Sequence, residues 1–237
     1  MLLIGISTFF ALTLSSCIDC VDGNGNIVSQ NRTAEISNFN QIELNGSFSL
    51  EITQDSTFSL LIDGDENILS SISSTVSDQR LRIESEHGKC FNTDDAVLVR
   101  ISVNDLSRIT LNGSGNIYTD SLSGENLTLV LSGSGDFRLS GLKVQSLDAT
   151  IYGSGNMNLS GRADETYYRI DGSGNVRSFG LEQQTTEVVV NGSGNVYVSF
   201  VEHLKGVING SGNILYKTST GTLDVEVNGS GKVTSSN

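Results

Sequence analysis

The sequence has no proline and only two histidines among its 237 residues. Glycine, by contrast, occurs 26 times, and serine and asparagine are plentiful, which is typical of a chain rich in strands and turns. Charged residues make up 17% and hydrophobic residues 37%, a balance that fits neither a disordered chain nor an ordinary helical protein. The composition therefore favours an all-β protein.

Basic residues are also scarce. Fourteen Lys and Arg against 27 Asp and Glu give a formal net charge of −13. Such a charge repels nucleic acid and argues against it as a partner. The same charge could do no more than keep a strand-rich protein soluble.

The few histidines limit the chemistry that the chain can perform. His87 and His203 lack the spacing of metal ligands, and neither lies in a nucleophile motif, so we expect no metal and no cofactor. The acidic residues are scattered, whereas glycoside hydrolysis needs carboxylates that converge on one bond. We therefore predict a protein that is not an enzyme, with no catalytic residues. A polysaccharide-active lyase or hydrolase is the alternative, because β-helical scaffolds also host such enzymes.

The one long apolar run, at the N-terminus, is too short to span a bilayer comfortably. It ends in Leu14-Ser15-Ser16-Cys17, which resembles the lipobox of bacterial lipoproteins. The resemblance implies a signal peptide over residues 1–16 and a lipidated Cys17, with several acyl chains that anchor the protein stably. We expect a location in the cell envelope, at the outer membrane, with either leaflet open. No Lys or Arg precedes the run, a departure that would fit a truncated start.

Two cysteines remain after Cys17. Outside the cytoplasm, Cys20 and Cys90 are most simply a disulfide that ties the tether to the body of the protein, and a pair of free thiols is the alternative. Residues 17–31 are read as the lipidated N-terminus and a polar, glycine-rich linker.

The most regular feature of the sequence is a tripeptide, Gly-Ser-Gly, that occurs seven times with starts 18 to 20 residues apart. A spacing this regular indicates a repeat architecture. The predicted corner glycines are Gly113, Gly115, Gly133, Gly135, Gly153, Gly155, Gly172, Gly174, Gly192, Gly194, Gly210, Gly212, Gly229 and Gly231. Glycine suits such corners because it adopts positive φ without steric cost and lets neighbouring backbones approach closely.

The positions two residues before and two residues after every Gly-Ser-Gly are apolar in all seven repeats. Each repeat therefore supplies short strands with one inward face, which it can bury only by stacking on its neighbours. The pattern predicts an all-β fold, a single-stranded parallel β-helix (β-solenoid) with about 18–20 residues per coil. Residues 106–237 form the Gly-Ser-Gly coils, and residues 32–105 form a β-rich N-terminal part that includes a degenerate coil at Gly46.

Asparagine follows the corner in most repeats, at Asn116, Asn156, Asn175, Asn195 and Asn213. Identical amides at strand spacing can hydrogen-bond in a ladder. Lys232 takes this position in the last repeat, and we expect its charge to discourage a second chain from adding there.

The lipobox, the lead-in with Arg32 and Phe39, and the repeated Gly-Ser-Gly-Asn corners together resemble the bacterial family called "putative auto-transporter adhesin, head GIN domain". The resemblance covers roughly residues 32–231 and implies a right-handed β-helix on an exported, often lipid-anchored protein. It implies no catalytic residues. The expected function is non-catalytic, adhesin-like binding of a glycan or an envelope protein, and a structural, self-associating envelope protein is a further alternative. Among the tyrosines that could stack on sugars, Tyr118 and Tyr197 share one outward column.

Overall fold

The computed structural model describes residues 20–36, 38–86, 89–93, 96–218 and 220–236. Within them the chain is almost entirely β-structure, wound so that strands of successive coils lie side by side. We name the three faces of the solenoid by their relation to Gly-Ser-Gly. The strands of the leading face come just before each Gly-Ser-Gly corner, and the strands of the following face come just after it. The third face connects each following strand to the leading strand of the next corner.

The leading face is a continuous parallel sheet. Its strands, in spatial order, are β7 (Arg80–Ser85), β3 (Gln41–Gly46), β10 (Arg108–Gly113), the last parts of β12 (Leu122–Gly133), β13 (Asp136–Gly153), β14 (Asn156–Gly172) and β15 (Asn175–Gly192), then β17 (His203–Ile208) and β19 (Thr222–Val227).

The following face is parallel as well. Its strands, in spatial order, are β9 (Leu98–Val103), β4 (Ser49–Gln54), β11 (Asn116–Thr119), the first parts of β13, β14 and β15, then β16 (Asn195–Ser199), β18 (Asn213–Lys217) and β20 (Lys232–Ser235). Long strands such as β13 bend round more than one face, and the pairing of β13 with β14 shifts register at a bend, between Leu139 and Leu142.

The recurring glycines lie in one line. Gly46, Gly113, Gly133 and Gly153 are register partners in successive coils. From the second repeat onward, the amide of each corner serine donates to the carbonyl of the first glycine in the preceding coil, as from Ser134 to Gly113 at 3.1 Å. Gly113 has a φ of +149°, and a Cβ added there would overlap the carbonyl oxygen of Gly46. Only glycine therefore fits, which confirms the predicted β-solenoid with stacked corners.

The core is a column of apolar side chains inside the solenoid. The residues two before and two after the first six corners are all fully buried: Leu111, Leu131, Ile151, Ile170, Val190, Ile208, Ile117, Phe137, Met157, Val176, Val196 and Ile214. This burial is the main term that stabilises the fold.

The N-terminal end departs from this regular winding. The β3–β4 coil lies between the repeats and a further pair of strands, β7 and β9, that comes later in the chain. Outside that pair the strands run antiparallel. They are β5 (Ser59–Asp65), β2 (Ile27–Asn31) and β6 (Ile72–Ser77). Residues 27–105 thus contribute both solenoid strands and a covering layer that the repeat pattern does not indicate, and β2 of this layer lies in the segment predicted to be a linker.

Short elements complete this end: η1, a 3-10 turn (Thr33–Glu35), helix α1 (Glu66–Leu69), and the parallel pair β1 (Cys20–Asp22) and β8 (Cys90–Asn92). Asp65 precedes α1 but does not cap it. Its carboxylate accepts instead from the backbone N–H of Gly25 and the hydroxyl of Thr93. No helix among the described residues has the length and apolar character needed to cross a bilayer.

Candidate binding face

The predicted anchor and the predicted cysteine pair lie at the N-terminal end. Cys17 falls outside the described residues, so the lipid anchor stays a prediction. Cys20 and Cys90 form a disulfide in the structure, with Cα atoms 4.6 Å apart, and it joins β1 to β8. The pairing closes a separation of 70 residues and fixes the start of the described chain to the solenoid.

The asparagines after the corners form a hydrogen-bonded row. The carboxamide of Asn175 donates to Asn156 at 2.8 Å, Asn195 donates to Asn175 at 2.9 Å, and Asn213 donates to Asn195 at 2.8 Å. In the coil before Asn156 the position is occupied by Asp136, and the carboxamide of Asn156 donates to the Asp136 carboxylate at 3.0 Å. Asn116 stands in the same row opposite Asp136. At the other end, the backbone N–H of Lys232 donates to Asn213.

A second row, which the sequence reasoning missed, lies on the leading side of the corners. Asn209 donates to Asn191 at 2.9 Å, and Asn191 donates to the carboxylate of Asp171 at 2.6 Å. Burial alone would raise the pKa of Asp171, but hydrogen bonds from Arg169 and Asn191 outweigh it and lower this pKa below its ordinary value. The signal was present in the sequence, because asparagine recurs one residue before the corner at Asn112, Asn191, Asn209 and Asn228.

The described residues form no group of three or more His, Cys, Asp and Glu side chains that could hold a metal ion. His203 contacts the hydroxyl of Thr222 at 2.7 Å, and His87 lies outside the described residues. The acids Asp148 and Glu187 share a row of the leading face, but Tyr167 stands between them. This arrangement offers no pair of carboxylates facing one bond.

A polar cluster in the interior is centred on the buried Gln183. Its carboxamide oxygen accepts from the hydroxyls of Tyr168 and Thr166, both at 2.8 Å, and its nitrogen donates to the carbonyl of Ser199 at 3.0 Å. Complete burial raises the pKa of Tyr168 well above its ordinary range, so the phenol stays neutral. Every polar group in the cluster has a partner, so we assign it a structural role.

The following face carries a row of aromatic and basic side chains that point outward. In register, the row reads Tyr118, Arg138, Asn158, Arg177 and Tyr197. The guanidinium carbon of Arg138 lies 5.6 Å from the ring centroid of Tyr118, and that of Arg177 lies 5.8 Å from that of Tyr197. These distances are those of cation–π contacts, which hold the cations in place against the face.

A third aromatic and a third cation lie beside this row, two residues further along their strands, towards the C-terminal end. Phe179 meets the edge of Tyr197, with centroids 5.8 Å apart, and the Lys217 ammonium lies 4.6 Å from the Phe179 centroid. We call Tyr118, Arg138, Arg177, Phe179, Tyr197 and Lys217 the cation–aromatic face. Tyr118 and Tyr197 share an outward column, as predicted. Two arginines lie between them in this column, at positions where the sequence offers no aromatic residue.

A cleft of about 790 Å³ adjoins this face. It exists because the coil shortens. Six residues, 179–184, separate the register positions Ser178 and Thr185, whereas four, 199–202, separate their partners Val198 and His203. The third face is therefore incomplete beyond β15. Apolar side chains line the recess, among them Phe179, Leu181 and Phe200.

Comparison with known proteins places the fold among adhesin-like proteins. Residues 38–220 match the family described as "Putative auto-transporter adhesin, head GIN domain". No curated protein matches the chain.

Three crystal structures resemble the fold over nearly their whole length. A "putative adhesin" from Bacteroides fragilis has a TM-score of 0.84 at 22% identity, the match covering 91% of this chain and 99% of that chain. A "putative lipid binding protein" from Parabacteroides distasonis has a TM-score of 0.71 at 21% identity, with 92% and 100% covered. A "putative adhesin" from Parabacteroides merdae has a TM-score of 0.70 at 26% identity, with 92% and 100% covered.

Proposed function

The chain belongs to the family described as "Putative auto-transporter adhesin, head GIN domain", and from this premise we propose that it is an exported, lipid-anchored and non-catalytic protein whose solenoid binds a glycan of the cell envelope or of a neighbouring surface. Membership in an adhesin family supports export to the envelope. The lipobox before Cys17 supports an anchor, and the tie between Cys20 and Cys90 would hold the solenoid close to it.

The observation that carries the binding role is the cation–aromatic face. Its three rings face outward on a flat parallel sheet, where they can stack on sugar rings, and its three cations can donate to sugar oxygens. The sheet beneath is rigid because each strand is hydrogen-bonded on both sides. A rigid, repeated surface suits an extended partner.

Glycan-array binding by the soluble chain that begins at residue 18 tests this function. We expect binding that weakens when Tyr118 and Tyr197 are both replaced by alanine, because the stacking rings are lost, whereas the Tyr152→Ala variant of the leading face binds as the parent does. A chain that binds no arrayed glycan would contradict the proposal and favour an envelope protein as the partner. Release of new sugar ends would favour the polysaccharide-active alternative.

The anchor has a test of its own. In bacterial cells, the full chain should be recovered with membranes and should incorporate a labelled fatty acid, and Cys17→Ala should abolish the labelling. The Cys20→Ala variant is the matched control and should still be labelled. Equal labelling of the parent and the Cys17→Ala variant would exclude lipidation at this residue.

A second candidate function, lipid binding, is favoured by the apolar cleft beside Phe200. Its walls suit an acyl chain, and Lys217 at its edge could meet an anionic headgroup. A solved relative of the same fold is described as a "putative lipid binding protein". Titration with a dansylated fatty acid should show saturable fluorescence that Val201→Asp removes, since Val201 lines the cleft and is half exposed. Unchanged binding by this variant would place the lipid elsewhere.

A further inference from the structure

The three cations of the cation–aromatic face recur on every second coil. Arg138 lies on β13, Arg177 on β15 and Lys217 on β18, and in each interval one strand of the following face stands between them, β14 in the first and β16 in the second. Stacked strands lie about 4.8 Å apart, so successive cations are about 10 Å apart along the solenoid axis. Arg138 and Arg177 share one row, whereas Lys217 lies two residues past Leu215, the position of that row on β18, and is therefore offset sideways by about 7 Å. A ligand that met all three would carry a negative charge at the same interval.

Two of these cations are not neutralised by the protein. Among the described residues, Arg138 forms an ion pair with Asp136 at 3.3 Å, whereas Arg177 and Lys217 form none with a carboxylate. Arg177 donates only to the amide oxygen of Asn156, at 3.3 Å. The net charge of −13 opposes an anionic polymer at long range, but two cations without an ion pair favour an anionic group at this face itself.

The acids nearby limit how much charge that ligand can carry. Asp120 lies in the shallow groove with Arg138, and Glu182 lines the cleft next to Lys217. A polymer with a charge on every unit would bring some of its charges against these carboxylates. A polymer with a charge on alternate units would place each charge at a cation and each neutral unit between them.

We propose that the cation–aromatic face binds an extended acidic polysaccharide that carries one carboxylate on every second sugar and runs along the stack of coils, obliquely enough to pass from Arg177 to Lys217. The length of one sugar in an extended β-linked chain is close to the spacing of stacked strands, so one disaccharide spans two coils. Arg138, Arg177 and Lys217 each meet one carboxylate. Tyr118, Phe179 and Tyr197 stack on the sugars. This inference rests on the proposed glycan-binding function and specifies its ligand.

The test compares four oligosaccharides of equal length, with the full chain held in non-ionic detergent and binding measured by calorimetry. The first is a hyaluronan decasaccharide, in which glucuronate alternates with N-acetylglucosamine. The second is the same molecule with its carboxyl groups reduced, the third an oligogalacturonate with a carboxylate on each sugar, and the fourth a neutral cello-oligosaccharide. We expect the hyaluronan decasaccharide to bind most tightly, and its affinity to fall as salt is raised.

Substitutions at the two unneutralised cations identify the face. The double variant Arg177→Gln with Lys217→Gln should bind the hyaluronan decasaccharide at least roughly tenfold more weakly, since each lost charge-assisted hydrogen bond is worth about a factor of ten. The matched control replaces Lys143 and Arg162 of the third face, a register pair, by glutamine and should bind as the parent does. Unchanged melting temperatures exclude unfolding as the cause.

The other outcomes separate this inference from the function on which it rests. If the reduced or neutral oligosaccharide binds as well as the hyaluronan decasaccharide, or the double variant binds unchanged, the acidic ligand is overturned while glycan binding stands. If the oligogalacturonate binds as tightly, the alternate-charge spacing is overturned. If no glycan of any kind binds, both proposals fall together.

Discussion

The two ends of the solenoid finish in different ways. At the N-terminal end, antiparallel strands cover the stack, and Leu81 and Ile83 of β7 are fully buried. At the C-terminal end, β19 and β20 are paired on one side only among the described residues, and Leu223 and Val227 of β19 are 43% and 38% exposed.

This difference shows what a repeated coil cannot do for itself. A parallel coil always presents a further edge with unpaired N–H and C=O groups, so a layer of another kind is needed to close the stack. The N-terminal residues supply such a layer through a change of strand direction and a disulfide. The C-terminal coil has only its exposed side chains and the charge of Lys232. Stability should therefore decline along the chain, because each coil is held by its neighbours.

The largest expected effect comes from equivalent corner glycines of the first and the last Gly-Ser-Gly repeat. A methyl group at Gly113 would overlap Gly46, and one at Gly229 would overlap Gly210. Gly113 also has positive φ and neighbours on both sides, so Gly113→Ala should lower the free energy of unfolding by at least about 3 kcal/mol.

Gly229→Ala should cost less, about 1 kcal/mol or below, because the last coil can shift away from its only neighbour. Denaturant unfolding of both variants measures the contrast. Equal losses would show that the two ends are held alike and would contradict the comparison.

The next effect belongs to the disulfide of the covered end. Replacing Cys20 and Cys90 together by serine should lower the free energy of unfolding by roughly 2–4 kcal/mol, as expected for a bond that closes a long segment. Denaturant unfolding of the soluble chain measures the loss, and a reducing agent should reproduce it in the parent and have no effect on the double variant. Identical unfolding of oxidised and reduced parent protein would show that the disulfide does not stabilise the fold.

At the uncovered end, the expected effect is on association rather than on stability. Lys232→Asn would extend the asparagine row and remove a charge from the edge strand, so the variant should form dimers or larger species as its concentration rises. Sedimentation velocity over a range of concentrations measures this. Lys205→Asn, on a strand that is paired on both sides, is the control. If both variants behave as the parent does, Lys232 has no protective role.

The smallest effect concerns pH, in the middle of the stack. Because hydrogen bonds lower the pKa of Asp171 in the folded state, ionised Asp171 stabilises the fold above the unfolded-state pKa of about 4. This contribution is lost as the pH falls through the lower, folded-state value. It should be below about 1 kcal/mol, since the carboxylate is partly exposed. Asp171→Asn should flatten the decline in stability below about pH 4, and an unchanged decline would exclude Asp171 as a cause.

The repeated coils could be predicted from the sequence because one simple condition acts on every repeat. Buried positions such as Leu131 must be apolar, and corners such as Gly133 must be glycine. The same pattern of residues therefore recurs in all seven repeats. Register follows directly, since a slip by one residue would turn the core outward.

The covering layer could not be predicted in the same way. Strand β5 alternates as a solenoid strand does, and nothing in Leu60 or Ile62 indicates that it pairs antiparallel with β9. The polar cluster was equally hidden, because Gln183 resembles a surface residue until the fold surrounds it with Thr166 and Tyr168. Both features depend on contacts between distant segments that leave no periodic signal.

The binding face could be predicted from the sequence only in part. Its row could be read by aligning the third residue after each corner, which gives Tyr118, Arg138, Asn158, Arg177 and Tyr197. The two tyrosines alone, four coils apart, suggested no platform. The arginines complete it, but their contacts with the rings depend on side-chain directions that only the structure shows.

Amide hydrogen exchange at the corner serines tests the stack most directly, because each of these amides donates to the coil before it. Ser134, Ser154, Ser173 and Ser193 should exchange slowly, at rates set by opening of the whole stack, and Ser230 of the last coil should exchange fastest. Rapid exchange at the four central serines would contradict the in-line stacking of the coils. Protection of Ser230 equal to theirs would contradict the difference between the two ends.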